Sequence, residues 1–134
     1  MLLLDSEALS ALAHGPEDRR RRVARAVTHA RQAEQDVGTS AAILAEIVRG
    51  HPRDAGVFAM LRREAVRVTE VTPAVGAGAG RLLGALGVGS EMAVDAFLVA
   101  TGDARRPARI LTTDVGDLTA LAEHAVAVEV IELA

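Results

Sequence analysis

The stretch Asp95-Ala-Phe-Leu-Val-Ala-Thr-Gly102, followed after a short basic loop by Arg109-Ile-Leu-Thr-Thr-Asp-Val-Gly-Asp-Leu118, indicates the fold most directly. Its first half has the apolar composition of a buried helix, and Arg109–Thr112 that of a short buried strand. A helix that leads into a strand is the repeating unit of a parallel α/β sheet. Asp95 interrupts the first apolar run and Asp114 ends the second. Because an ionised carboxylate among apolar groups is costly unless a cation compensates it, both acids indicate a cation site.

The alternation of strands and helices continues on both sides of this stretch. Strands are predicted at Met1–Leu4, Val37–Thr39, Val66–Val71, Arg109–Thr112 and Ala125–Ile131, and helices at Ala8–Ala13, from Glu17 onward, at Ala41–Arg49, Arg53–Glu64, Pro73–Leu86, Glu91–Thr101 and Asp117–Glu123. Ser40 and Ser90 are the predicted N-caps of the helices that follow them. The order predicts a three-layer α/β/α sandwich around a mostly parallel central sheet, in a single domain of residues 1–134.

Composition excludes several classes of protein. The chain has 134 residues, half of them apolar, with a formal net charge of −3. No apolar run approaches the roughly 20 residues that cross a bilayer, so we expect a cytoplasmic protein that does not enter the membrane. The chain has neither cysteine nor lysine, since all 15 basic residues are arginine, which excludes thiolate chemistry, Schiff-base lysines and the Walker A lysine. Two phenylalanines are the only aromatic residues, which disfavours a module that stacks on bases.

Three more acids are expected near Asp95 and Asp114. Asp5 directly follows a predicted strand, as Asp114 does, and sites in open α/β sheets form at that edge. Glu46 lies in an apolar run, and Asp117 stands just beyond Asp114. Each has a simpler interpretation when considered alone. Asp5 could cap the first helix, Glu46 could lie at the margin of an apolar face, and Asp117 could favour a helix N-terminus.

A cluster of such acids would have a chemical consequence. Two unit charges 4 Å apart repel by about 4 kcal/mol at an effective dielectric near 20, so the cluster either takes up protons or binds a cation. Oxygen ligands with retained waters are preferred by Mg²⁺ and Mn²⁺. The chemistry that this pattern favours is metal-assisted hydrolysis of a phosphodiester.

Four segments, in this order, also carry a resemblance to a known family: Leu2-Leu3-Leu4-Asp5-Ser6, Ala45-Glu46-Ile47-Val48-Arg49-Gly50, Val94-Asp95-Ala96-Phe97-Leu98-Val99-Ala100 and Leu111-Thr112-Thr113-Asp114-Val115-Gly116-Asp117-Leu118. Over essentially the whole chain they resemble PIN-domain ribonucleases, most of all the small VapC-type toxins of bacterial toxin–antitoxin pairs. The resemblance implies an Mg²⁺- or Mn²⁺-dependent endoribonuclease that cuts structured RNA such as tRNA or rRNA. It also implies a homodimer and a small antitoxin protein that blocks the site.

The resemblance assigns roles to individual residues. It implies catalytic roles for Asp5, Glu46, Asp95 and Asp114, and metal ligation by Asp5, Asp95, Asp114 and Asp117. The hydroxyls of Ser6 and Thr112 would support these ligands. The chain departs from the family pattern at Met92, where relatives often carry an acid, and Glu91 is the predicted substitute because it precedes Asp95 by four residues. This departure bears on whether one metal ion or two are held.

Two groups of arginines are predicted contacts for RNA: Arg19, Arg20, Arg21, Arg22 and Arg25 in the first long helix, and Arg105 and Arg106, with Arg109, before the strand that leads to Asp114. The simpler interpretation of both groups is a solvated surface.

Two other functions compete with a nuclease. Phosphoryl transfer through an aspartate also places an acid after the first strand, but it usually needs a lysine, and the chain has none. A PIN-like interaction module with little or no catalysis is compatible with the departure at Met92. Affinity for Mn²⁺ distinguishes the module from the nuclease, because a module without catalysis should bind the metal poorly.

Overall fold

The computed structural model of the chain describes residues 1–133 and contains one sheet of parallel strands. The strands are β1 (Leu2–Leu4), β2 (Val37–Ser40), β3 (Arg67–Thr69), β4 (Ala108–Thr112) and β5 (Val128–Glu132). They lie in the order β3-β2-β1-β4-β5, and each pairing is parallel. Their carboxyl ends therefore share one edge. From β1 the chain adds β2 and β3 on one side of the sheet, and it then adds β4 and β5 on the other side. The switch point of the sheet therefore lies between β1 and β4, and ligand sites form at such points in open parallel sheets.

Helices cover both faces of this sheet. They are α1 (Ser6–His14), α2 (Glu17–Gln32), α3 (Leu44–Ile47), α4 (Asp54–Arg63), α5 (Pro73–Leu86), α6 (Ala93–Ala104) and α7 (Gly116–Ala122). Successive strand residues point to opposite faces. Leu2 lines a cleft together with Ala26 of α2, whereas Leu3 packs towards α6, its Cδ1 3.2 Å from the position that a Cβ on Gly102 would occupy. The predicted three-layer α/β/α sandwich with a parallel central sheet is confirmed.

The core lies between the sheet and the helices on either face. Leu3, Leu4, Leu9, Leu98 and Ile110 are each 0% exposed. Burying a side chain of this size contributes about 1.5–3 kcal/mol, which stabilises the strands that Asp5 and Asp114 follow and the helix that carries Asp95. No helix within residues 1–133 has the length and apolar content needed to cross a membrane.

The segment that carries Glu46 differs from its prediction. A single helix over Ala41–Arg49 was wrong: a 3₁₀ turn covers Ala41–Ile43, and α3 ends at Ile47. Ser40 does act as the predicted cap, with its Oγ accepting the Ala42 N–H at 3.2 Å. The helix ends early because Val48 is extended (φ −89°, ψ 128°) and Gly50 has a left-handed backbone (φ 72°), a region that glycine enters without steric cost.

The start of the Asp95 helix also differs. A helix beginning at Glu91 with Ser90 as its cap was wrong, because Ser90–Met92 form a 3₁₀ turn and α6 begins at Ala93. The Glu91 carboxylate accepts the Gly89 N–H at 3.1 Å. Glu91 thus precedes α6 rather than lying on its first turn, so the argument that helical spacing places it beside Asp95 does not hold.

Candidate active site

Asp5 is a buried acid at the carboxyl end of the central strand. It follows β1 directly and is 5% exposed. Its Oδ1 accepts the Ala8 N–H at 2.8 Å, so it is the N-cap of α1. Burial raises the pKa of Asp5 to about 6, although the neighbouring Thr112 hydroxyl and the Ala8 N–H act to lower it. Capping alone needs only a polar oxygen, which asparagine supplies equally well, so it does not account for a carboxylate whose charge is disfavoured.

Asp95 is the second acid with a raised pKa. It is partly buried in the first turn of α6. Burial makes the largest contribution to raising the pKa of Asp95 to about 6, and the negative charges of Glu46, Asp117, Asp5 and Asp114 follow, in that order. Charges in water are largely screened beyond about 8–10 Å, so acids that act on one another in this way lie in one neighbourhood. The other four predicted acids therefore lie within electrostatic reach of Asp95.

The other three acids are exposed and reach this neighbourhood from different elements. Glu46 lies on α3, Asp114 in the loop after β4 and Asp117 in the first turn of α7. Asp114 Oδ1 accepts the Gly116 N–H at 3.3 Å. As expected for an open parallel sheet, Asp5 and Asp114 flank the switch point, where Leu4 of β1 pairs with Leu111 of β4.

The residues predicted to support the ligands behave differently from one another. Thr112 is 0% exposed, and its Oγ1 donates to the Asp114 carbonyl oxygen and accepts the Asp114 N–H, both at 3.0 Å. It therefore fixes the backbone that presents Asp114. Ser6 is partly buried at the start of α1, beside Asp5. Glu91 is engaged with Gly89 and is not among the acids that raise the pKa of Asp95.

No arginine neutralises these acids in the part of the chain that the structure describes. Arg21, Arg63 and Arg67 form ion pairs with other acids, Glu17, Glu64 and Asp36. Neither do any three acids or histidines among residues 1–133 stand close enough together to enclose an ion as they are placed. The site is thus an open group of carboxylates around one buried acid, Asp5, and one partly buried acid, Asp95.

The donor set fits a hard divalent cation in its chemistry. All five side chains offer oxygen, and two of them, Asp5 and Asp95, carry charges that burial and their neighbours disfavour. Mg²⁺ is usually held by one or two carboxylates together with several waters rather than by a closed protein cage. An open site with two fixed acids and three exposed ones meets that requirement.

The predicted arginine contacts lie apart from the acids. Arg105 and Arg106 are exposed and directly precede β4, whereas Asp114 follows it, so they lie at the opposite edge of the sheet. Arg20 and Arg21 line a groove with Arg63 and Glu64, and Arg22 and Arg25 line a cleft with Arg109; Arg19 is exposed near the start of α2. Neither hollow is lined by a site acid.

Glu46, alone among the five site acids, lines a cleft that the sequence did not reveal. A hollow of about 430 Å³ is lined by Ser10, His14, Glu46, Ile47, Arg49, Gly50, His51, Arg53, Asp54 and Val57. In the sequence, the feature that could have indicated this cleft is Arg49, a basic residue three positions after Glu46 at the end of a predicted helix. The place of its side chain depends on the conformation of the loop between α3 and α4, which hydrophobic periodicity does not predict.

Comparisons with known proteins agree with this architecture. The family profile described as PIN domain matches residues 2–123. Among solved structures, the chain is similar to one in the crystal structure of VapBC2 from Rickettsia felis bound to a DNA fragment from their promoter, with 13% identity, a TM-score of 0.68 and coverage of 98% of both chains. No curated protein matches significantly. At this identity the likeness shows a shared fold, whereas the profile covers most of the sequence. The chain therefore belongs to the PIN domain family.

Proposed function

We propose that this protein is a metal-dependent endoribonuclease that acts as the VapC-type toxin of a toxin–antitoxin pair. The observation that carries the proposal is the placement of Asp5 and Asp114 just after the paired strands β1 and β4, with Asp95 within electrostatic reach of both and of Glu46 and Asp117. Five segments of the chain thus bring like charges towards the switch point of a parallel sheet, which is a costly arrangement without a cation. Membership of the PIN domain family supports nuclease activity, and the structural likeness to a chain of VapBC2 supports the toxin class.

The acids of the site would divide the work between them. Mg²⁺ or Mn²⁺, when bound, would supply positive charge for the scissile phosphate and the leaving oxygen. Asp5 and Asp95 would hold the ion, since Asp5 is buried and keeps one carboxylate oxygen free of the Ala8 N–H, and Asp95 is partly buried on a helix of the core. Asp114 and Asp117 would add ligation from the exposed side, with Glu46 orienting or deprotonating the attacking water.

Recognition of RNA would depend on surfaces beyond the acids. The exposed α2 arginines are proposed to contact the phosphate backbone, because arginine pairs bidentately with phosphate oxygens. Arg105 and Arg106, at the far edge of the sheet, would engage only a distant part of a folded RNA. A homodimer and a small antitoxin are proposed as partners; a neighbouring reading frame for a short protein would support the latter.

A catalytically weak interaction module is the second candidate. It is favoured by the open arrangement of the acids within residues 1–133 and by the presence of Met92 where relatives often carry an acid. Such a protein would bind RNA or a protein partner without cutting RNA.

Cleavage of folded RNA by the purified protein, freed of any antitoxin, tests the proposal. We expect cleavage with Mg²⁺ or Mn²⁺, none with EDTA, and none from Asp5→Asn or Asp95→Asn. Asp18→Asn, which changes an exposed acid in the first turn of α2, is the matched control and should cut normally. Cleavage by the two site variants at the wild-type rate would refute the nuclease assignment. Binding of RNA without any cleavage would favour the interaction module.

A further inference from the structure

Glu46 stands on a helix too short to hold itself in place. The helix α3 has 4 residues and none of its side chains is fully buried. Isolated helices shorter than about 12–15 residues are marginal in water, because the first turn costs more conformational entropy than its hydrogen bonds return. The position of Glu46 must therefore be set by contacts from outside the helix.

The Arg49 guanidinium makes the first of these contacts. Its Nη1 donates to the carbonyl oxygens of Ala45 at 2.6 Å and Val48 at 3.1 Å, and its Nη2 donates to that of Glu46 at 2.7 Å. The last carbonyls of a helix have no partner within the helix, and a cation at that end also favours the helix dipole. Arg49 thus binds the backbone of Glu46 itself.

Asp54 makes the second contact, at the start of α4. Its carboxylate accepts three successive N–H groups: that of Arg49 at 3.2 Å to each oxygen, that of Gly50 at 2.7 Å and that of His51 at 3.1 Å. Despite some opposing desolvation, these donors lower the pKa of Asp54 from its usual value. The loop therefore wraps one anionic group, as a backbone nest does.

The two contacts connect Glu46 to the core. Asp54 begins α4, whose Val57, Met60 and Leu61 are 3%, 0% and 7% exposed. Fixing the loop to α4 places Arg49, and Arg49 places the last turn of α3. This arrangement matters for the acids, because α3 packs against α1, the helix that Asp5 caps, and the 3₁₀ turn before α3 packs against α6, which carries Asp95.

We propose that Arg49 and Asp54 are positioning residues that hold Glu46 at the carboxylate site. The inference rests on the proposed metal-dependent function, because Glu46 has to be placed accurately only if it acts beside a cation. Neither residue would touch the substrate. Both act through backbone contacts on α3 and its loop.

The Mn²⁺ affinity of variants distinguishes a positioning role of Arg49 from an effect of its positive charge alone. Removing an arginine near a cation site should strengthen cation binding if only its charge matters. Positioning predicts the opposite for Arg49→Gln. Arg53→Gln is the matched control, because Arg53 lines the same cleft. Its hydrogen bond in this loop is made by the backbone N–H, which donates to His51 Nδ1 at 3.2 Å, so changing the side chain leaves that bond in place.

The experiment measures Mn²⁺ binding to the metal-free full chain by calorimetry. We expect Arg49→Gln to weaken binding by about tenfold, the lower range for groups that support a metal site without ligating the ion, because Glu46 would hold a water beside the cation. Arg49→Lys keeps the positive charge but loses the planar guanidinium that donates to several carbonyl oxygens. Its Mn²⁺ affinity should lie between those of wild type and Arg49→Gln. In a Glu46→Gln background, Arg49→Gln should add almost nothing, because a residue that acts through Glu46 has no effect once Glu46 is changed. Asp54→Ala should speed amide exchange at residues 49–51, whereas Arg53→Gln should bind Mn²⁺ at least as tightly as wild type.

Four results would overturn the inference. Tighter or unchanged binding by Arg49→Gln would leave only a charge effect. An equal loss in the Glu46→Gln background would show that Arg49 acts by another route. If all single variants bind like wild type while wild-type protein still cleaves RNA, the positioning role fails and the nuclease assignment stands. If wild type binds no Mn²⁺ and cuts no RNA, the proposed function fails first and the inference with it.

Discussion

The inner and outer acids of the site differ in how firmly the fold holds them. Asp5 and Asp95 are buried or partly buried on a central strand end and a core helix, and the pKa of each is raised to about 6. Glu46, Asp114 and Asp117 are exposed, on a four-residue helix, a loop and the first turn of α7. Charges that the fold desolvates are expensive, whereas exposed charges cost little. The inner pair should therefore determine whether a cation binds, and the outer three how tightly it is held and how well it is used.

Removing an inner charge should have the largest effect. Asp95→Asn is expected to lower RNA cleavage by more than about 100-fold, beyond the range for groups that only support a ligand. Its Tm should stay the same or rise, because a charge disfavoured by burial and by its neighbours is removed. Asp5→Asn should show the same loss of cleavage and the same unchanged or raised Tm, because the asparagine side-chain oxygen can still accept the Ala8 N–H at the start of α1. Cleavage rates and calorimetric melting check both.

The second-largest effect is expected from acidification, which should lower cleavage by protonating Asp5 and Asp95. In the metal-free protein burial raises the pKa of Asp5 and of Asp95 to about 6, so protons compete with the cation for these carboxylates below that pH. At a Mn²⁺ concentration below saturation, cleavage at pH 5 should therefore fall about tenfold for each carboxyl that must be ionised. A Mn²⁺ affinity of the metal-free protein that stays flat from pH 7.5 to 5 would contradict the raised pKa values.

The same pKa values give the metal-free protein a stability that depends on pH. Between about pH 4 and 6 the unfolded chain loses these protons while the folded protein keeps them. The free energy of unfolding should therefore decrease as pH rises through that window, by the contribution of these two groups. The slope should become shallower in Asp95→Asn, and denaturant titrations at matched pH values measure it.

Changes to the outer acids should have smaller effects. Glu46→Gln and Asp114→Asn are expected to lower cleavage by about tenfold, and Asp117→Asn by less, because an exposed acid can be replaced by water in the coordination of Mg²⁺. Their melting temperatures should match that of Asp18→Asn. An outer variant that loses as much activity as Asp95→Asn would erase the distinction between the two groups.

Thr112→Val should affect stability more than catalysis. The buried hydroxyl bonds both the carbonyl oxygen and the N–H of Asp114, and removing it leaves those groups without their partner. The expected loss is about 1–3 kcal/mol in the free energy of unfolding, with a cleavage loss no larger than that of Asp114→Asn. Thr113→Val, one residue along and only partly buried, is the matched control.

The sequence predicted the sheet well because burial of apolar runs determines it. Leu2–Leu4 and Ile110–Leu111 have no alternative to the core, and the acids that follow the strands must then share an edge. The helix over Ala41–Arg49 failed for a different reason. Its end depends on a guanidinium that reaches back to carbonyl oxygens and on a loop bound by Asp54, and neither contact has a periodic signal.

The predicted arginine contacts show a second case in which closeness in sequence did not indicate closeness in the structure. Arg105 and Arg106 are close in sequence to Asp114, yet β4 separates them and places them at opposite edges. The order of elements already contains that information, since residues before a strand and residues after it cannot share an end. Ser90 illustrates the local case, where the Glu91 carboxylate satisfies the Gly89 N–H within a 3₁₀ turn that helical spacing did not indicate.

Calorimetric titration of Mn²⁺ into metal-free protein at pH 7.5 tests the central claim, that the converging carboxylates form a cation site, most directly. Wild type and Asp18→Asn should bind with equal affinity, and Asp95→Asn should bind no Mn²⁺ over the same range. Equal binding by all three proteins, or no binding by wild type, would contradict the account.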